Sequence, residues 1–74
     1  MKEQVLKILR GVRQDVDFEK EKALIDDSIL DSFDIISIVA DLNEEFAIDI
    51  TADELEPENF NTLDAIVALV KSLQ

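Results

Sequence analysis

Apolar residues in this chain recur at the period of an α-helix in three separate stretches. They alternate like a strand only over Ile48-Asp49-Ile50, too short a run, without a partner, to build a sheet. That pattern restricts the chain to an all-α fold. Val5, Ile8, Leu9 and Val12 share one helical face, Lys2, Glu3, Lys7 and Arg10 take the rest, and Gly11 lies near the end of this first helix. The last helix opens at Asn61 or Thr62, with Leu63, Ile66, Val67 and Val70 inward and Lys71 near its negative end. Between them Asp31 is a good N-cap for a helix over residues 32–47, whose predicted inward stripe is Phe33, Ile36, Val39, Ala40 and Phe46. Ile35 and Ile38 broaden its apolar side and are read as partly exposed contact residues. Thr51 with Glu54 makes a capping-box pattern, Pro57 suits a first helical position and Phe60 closes the segment, which predicts one or two short helical turns. The expected architecture is a small bundle of three principal helices plus a short third helix, in one domain over residues 1–74.

A chain of this length buries only roughly 60% of the surface its unfolded form exposes, so every anchor matters. The long charged connection from Asp15 to Asp31 carries Phe18, Ala23, Leu24, Ile25, Ile29 and Leu30, which are expected to pin it to the core. Connections this long in compact domains usually serve a function, and this one leads directly to Ser32. Phe33, Phe46 and Phe60 stand at core spacing and are read as packing residues.

Composition removes most chemistries. Cysteine and histidine are both absent, so there is no disulfide, no protein thiolate and none of the usual zinc or copper ligands. A nucleophile with its base lacks the histidine and cysteine that usually form it, and no catalytic residue is assigned. Asp15, Asp17, Glu19 and Asp26 fall at calcium-loop positions, but Lys20 replaces the turn glycine and Asp26 the bidentate glutamate, so no metal site is assigned either. Eighteen acidic against seven basic residues give a net charge of -11, which repels nucleic acid and anionic membranes and favours partners with basic surfaces. No apolar run can span a bilayer, and the mixed-charge residues 1–10 are not a signal peptide, so a cytoplasmic monomer without membrane insertion is expected.

The segment Ile29-Leu30-Asp31-Ser32-Phe33-Asp34-Ile35-Ile36, followed by Asn43-Glu44-Glu45-Phe46, carries the functional signal. Ser32 beside Asp31 also suits a plain N-cap that is never modified. However, Leu-Asp-Ser before a large apolar residue, at the start of an acidic amphipathic helix reached by a long first loop, resembles the acyl carrier protein family. The short third helix and closing amphipathic helix extend that resemblance over nearly the whole chain.

The resemblance implies that a phosphopantetheinyl transferase joins the Ser32 hydroxyl to 4'-phosphopantetheine from coenzyme A, with Asp31 and Phe33 flanking the attachment point. The thiol then belongs to the cofactor, as a chain without cysteine requires. It also implies that acidic residues of the second helix, here Asp34, Asp41, Glu44 and Glu45, dock basic surfaces of partner enzymes, with Ile35 and Ile38 beside them. Ser37 stands where an acid is common in the family. The chain lacks the Gly-Gly-x-Ser element of many multidomain synthetase carriers, which favours a stand-alone carrier. Leu-Asp-Ser-Phe is similar to D-alanyl carrier proteins and other discrete carriers loaded by an adenylate-forming ligase, whereas fatty-acid carriers, served by acyl synthases and transferases, more often have leucine after the serine. The alternative is an acidic helical interaction module that holds a basic partner without covalent modification.

Overall fold

The computed structural model describes all residues from Met1 to Gln74. It contains helices α1 (Lys2–Val12), α2 (Ser32–Phe46), α3 (Pro57–Phe60) and α4 (Leu63–Leu73), with a 3-10 turn over Ala52–Glu54 and no strand. Helix α1 packs against α2 and α4, and α3 against α4. The molecule measures 27 × 24 × 20 Å.

Each helix ends where its residues dictate. Asp31 caps α2, Thr62 caps α4 by accepting from the Ala65 N–H at 3.0 Å, and Pro57 opens α3. Thr51 and Glu54 form the expected capping box, and the same contact holds the Glu54 carboxyl below its ordinary range. After α2, Asn43 organises the exit: its carbonyl accepts from Ile48 at 3.2 Å and its side chain from Ile50 at 2.8 Å. That places the acidic Asn43-Glu44-Glu45-Phe46 stretch at a fixed corner.

One core of thirteen buried hydrophobic residues serves all four helices. It includes Val5 and Leu9 from α1, Ile38 and Leu42 from α2, and Leu63, Ile66, Leu69 and Val70 from α4. Phe18, Leu24 and Leu30 pin the long loop as expected, and Phe60 closes the α3 side. The inward stripe of α2 needs correcting. Its fully buried members are Ile38 and Leu42, Val39 and Phe46 are half-buried, and Phe33 and Ile36 are 81% and 63% exposed. Phe33 is therefore not a packing residue, and Ile38, with no exposed surface, cannot touch a docking partner.

The only glycine lies inside α1, where a Cβ would meet nothing within 4 Å, while the left-handed C-cap of α2 is Ala47, at φ 53°. Helical Gly costs about 0.5–1 kcal/mol against Ala, and a left-handed alanine about 1–2 kcal/mol. Gly11→Ala and Ala47→Gly are each expected to raise stability by about 0.5–1 kcal/mol, measured by urea unfolding at unchanged m-value. A loss of stability in either variant contradicts that account.

Candidate functional site

Ser32 is the first residue of α2 and is exposed. Its position follows from its neighbours. The Asp31 carboxylate accepts from the Asp34 N–H at 2.8 Å, and the Asp34 carboxylate accepts back from the Asp31 N–H at 3.3 Å. This reciprocal box brackets Ser32 and Phe33. The Asp31 carbonyl takes the Ile35 N–H at 3.0 Å, so Asp31 occupies two of the first-turn donors and leaves those of Ser32 and Phe33 facing outward for another acceptor. A negatively charged group beside Ser32 would find these amides and the positive end of the helix dipole.

The loop is held in place from two sides. Asn61, at the end of α3, accepts on Oδ1 from the N–H groups of Ile25 and Asp26 at 3.0 and 3.1 Å and donates to Asp26 at 3.1 Å. Its carbonyl also accepts from Leu24 at 3.0 Å. On the other side Arg13, the C-cap of α1, forks onto both oxygens of Asp15 through Nε and Nη2 at 3.0 and 2.9 Å. Its Nη1 donates to the Ile29 carbonyl at 3.0 Å and to Asp34 Oδ2 at 2.8 Å. Donating to the Asp15 and Asp34 carboxylates raises the Arg13 pKa above its already high value, and the bonds Asp15 accepts from Arg13 hold its carboxyl below the usual carboxylate range.

Three depressions lie around the start of α2, one of them lined by Ser32 itself. One of about 330 Å³ is lined by Ile25, Leu30, Asp31, Ser32, Ile35, Ile36 and Leu55, and is almost wholly apolar. A smaller apolar cleft of about 130 Å³ continues from it past Ile25, Ile35 and Leu55 to Pro57 and Phe60. On the opposite side a shallow groove runs between the end of α1 and α2, where Phe33 and Asp34 share a wall with Ser37, Ala40 and Asp41.

The predicted site residues thus separate. Asp31, Ser32, Ile35 and the exposed Phe33 stand together at the start of α2. Asp41 and Glu45 line a polar groove with Lys7 of α1, and Glu44 is exposed further along the helix. Asp34 is not the free docking charge expected of it. Its side chain is 15% exposed and already bonded to Arg13 and to the Asp31 amide. Arg13, Asn61 and Leu55 were not anticipated. Arg13 binds Asp34 across 21 positions and Asn61 reaches Ile25 across 36, so no local spacing announces either.

The amino-acid sequence matches a known family: residues 3–70 fit the model described as "Phosphopantetheine attachment site". The chain belongs to that family. It is a carrier protein of the acyl carrier protein type, with the small helical fold of that family and a covalent 4'-phosphopantetheine as its prosthetic group. Among curated proteins, it is 31% identical to a D-alanyl carrier protein of Lactobacillus acidophilus, over 99% of this chain and 94% of the relative. It is 28% identical to one of Leuconostoc mesenteroides, over 99% and 95%, and 34% identical to one of Streptococcus uberis, over 82% and 77%. The carrier is D-alanyl-carrier-like across its length. No helix is long and apolar enough to cross a membrane.

The residues at the start of α2 fit the prosthetic group. Ser32 offers an exposed hydroxyl, the two first-turn amides suit the phosphate, and the apolar depression beside Ile35, Ile36 and Leu55 offers a surface for the arm.

Proposed function

We propose that this protein is a stand-alone aminoacyl carrier that receives its prosthetic group on Ser32 and presents a thioester-bound cargo, D-alanine by the names of its relatives, to partner enzymes in the cytoplasm. The observation that carries this reading is the exposed Ser32 hydroxyl, bracketed by the Asp31–Asp34 capping box at the N-terminus of α2. The prosthetic arm, once attached, supplies the thiol that the polypeptide lacks.

In the attachment step the Ser32 oxygen forms a bond to the β-phosphorus of coenzyme A, the bond to the nucleotide moiety breaks, and the serine proton passes to a base on the transferase. Ser32 does not activate itself, since neither histidine nor cysteine is available to it. Asp31 orients the turn, and the outward amides of Ser32 and Phe33 favour the negative phosphodiester. The chain itself performs no catalysis. It works as a monomer and single domain, loaded by an adenylate-forming ligase with a basic docking surface. That surface meets Asp41, Glu44 and Glu45, while Phe33 and Ile36 supply exposed apolar contacts next to the attachment point.

Incubation with coenzyme A, magnesium and a broad-specificity phosphopantetheinyl transferase is expected to add one phosphopantetheine to wild type and none to Ser32→Ala, read by intact mass. The loaded form is then offered D-alanine, other amino acids and fatty acids with candidate ligases. An equal gain in the mutant removes Ser32 from the role. No gain in either protein leaves the unmodified interaction module as the reading.

A further inference from the structure

Ser32 owes its placement wholly to its neighbours, and one side chain bonds on both sides of it. Arg13 holds the Ile29 carbonyl at 3.0 Å, three residues before Ser32, and the Asp34 carboxylate at 2.8 Å, two residues after it. Between those points the chain passes through Leu30, locked in the core, and Asp31, whose amide gives to the same Asp34 oxygen that Arg13 grips. The same guanidinium also donates to Asp15 at 2.9 and 3.0 Å, through nitrogens that do not make either bond flanking Ser32. We propose that Arg13 is a positioning residue for Ser32: by bridging Ile29 and Asp34 it sets how the attachment hydroxyl is presented to the transferase. This rests on the carrier reading above.

The physical case has two parts. A reacting oxygen displaced by about 1 Å can lose up to roughly 100-fold in rate, so the segment holding a transferable hydroxyl gains from being tied at both ends. Guanidinium suits that task because its rigid fork reaches two acceptors in fixed directions, which neither glutamine nor lysine can reproduce while also bonding Asp15. Arg13 also offsets the negative charge of Asp34 beside a hydroxyl that must approach a phosphate. It does so from the end of α1, where it is the C-cap residue.

The test is steady-state modification of the full apo chain by a phosphopantetheinyl transferase with coenzyme A and magnesium, with the carrier concentration varied, on wild type, Arg13→Gln and Asp15→Asn. Far-UV circular dichroism selects a temperature at which each protein is folded. Arg13→Gln is expected to lose roughly tenfold or more in kcat with KM for the carrier changed less than about twofold, because the docking face is intact while the hydroxyl is misplaced. Asp15→Asn, which weakens the fork but leaves both bonds flanking Ser32, is expected to stay within about twofold of wild type in both constants. A folded Arg13→Gln with wild-type kcat overturns the inference, as does an equal loss in Asp15→Asn, which marks a general effect of the ion pairs. If Arg13→Gln does not fold, Arg13→Lys is measured against the same two criteria. A wild type that accepts no phosphopantetheine sinks the carrier reading and this inference with it, a result distinct from an unaffected Arg13 variant.

Discussion

Ile38→Ala is expected to lower stability by about 3 kcal/mol and the melting temperature by more than about 10 °C, with the helical signal intact at low temperature. Ile38 has no exposed surface and sits in the shared core, so truncation leaves a cavity that a bundle this small cannot easily refill. The neighbouring Ile36→Ala, at a position 63% exposed, is expected to stay within about 0.5 kcal/mol of wild type. The functional consequences run in the opposite order. Ile36→Ala and Phe33→Ala remove apolar surface beside Ser32 and are expected to raise KM for the transferase or ligase, while Ile38→Ala, assayed well below its melting temperature, leaves KM unchanged. Thermal melts together with modification kinetics of the three variants check both halves. A stable Ile38→Ala with weakened partner binding restores the docking role first expected of that residue.

Asp34→Lys is expected to fail in folding before it fails in docking. The Asp34 carboxylate accepts from Arg13 and from the Asp31 amide, and lysine can accept from neither. The return half of the capping box and the Arg13 bond are lost at about 1 kcal/mol, and a cation placed at the positive end of α2 adds up to about 1 kcal/mol more. It also stands against the Arg13 guanidinium. The combined loss of about 2 kcal/mol corresponds to a fall of roughly 10 °C in melting temperature for a chain of this size. Glu44→Lys is the matched control: Glu44 is exposed, and reversing its charge moderates the net -11, so its melting temperature is expected to hold or rise. An Asp34→Lys protein that melts within about 2 °C of wild type returns Asp34 to the surface as a free docking charge.

Much of the fold was legible because the terminal helices each carry a single apolar face. Val5 and Leu9, and Leu63, Ile66 and Val70, are buried where their spacing predicts. The caps were legible for the same local reason: Asp31, Thr51 with Glu54, and Pro57 act on amides within one turn. Helix α2 was not, because it carries two stripes with the same spacing. Phe33, Ile36 and Ala40 form one and Ile35, Ile38 and Leu42 the other, offset by two positions or about 200° around the helix. Periodicity alone cannot choose between them. The signal that could have decided is side-chain size along each stripe: one runs through branched aliphatics to Leu42, while the other shrinks to Ala40 and adjoins Ser37 and Asp41. At the site, Ser32 and Asp31 were legible from their own neighbourhood, whereas the engagement of Asp34 depends on an arginine brought near by the path of the loop.

The Asn61 clamp sets an order in which this molecule can be completed. The loop that carries the chain to Ser32 closes its Ile25 and Asp26 amides onto a side chain 36 and 35 positions later. During synthesis from the N-terminus, α1, the loop and α2 emerge before that residue does, and the loop lacks its acceptor until α3 has followed. Although helical bundles assemble mostly from local contacts, the Ile25–Asp26 part of this loop gains its acceptor only when the distant Asn61 is in place. A completed loop is therefore found only on a chain whose third helix has already docked.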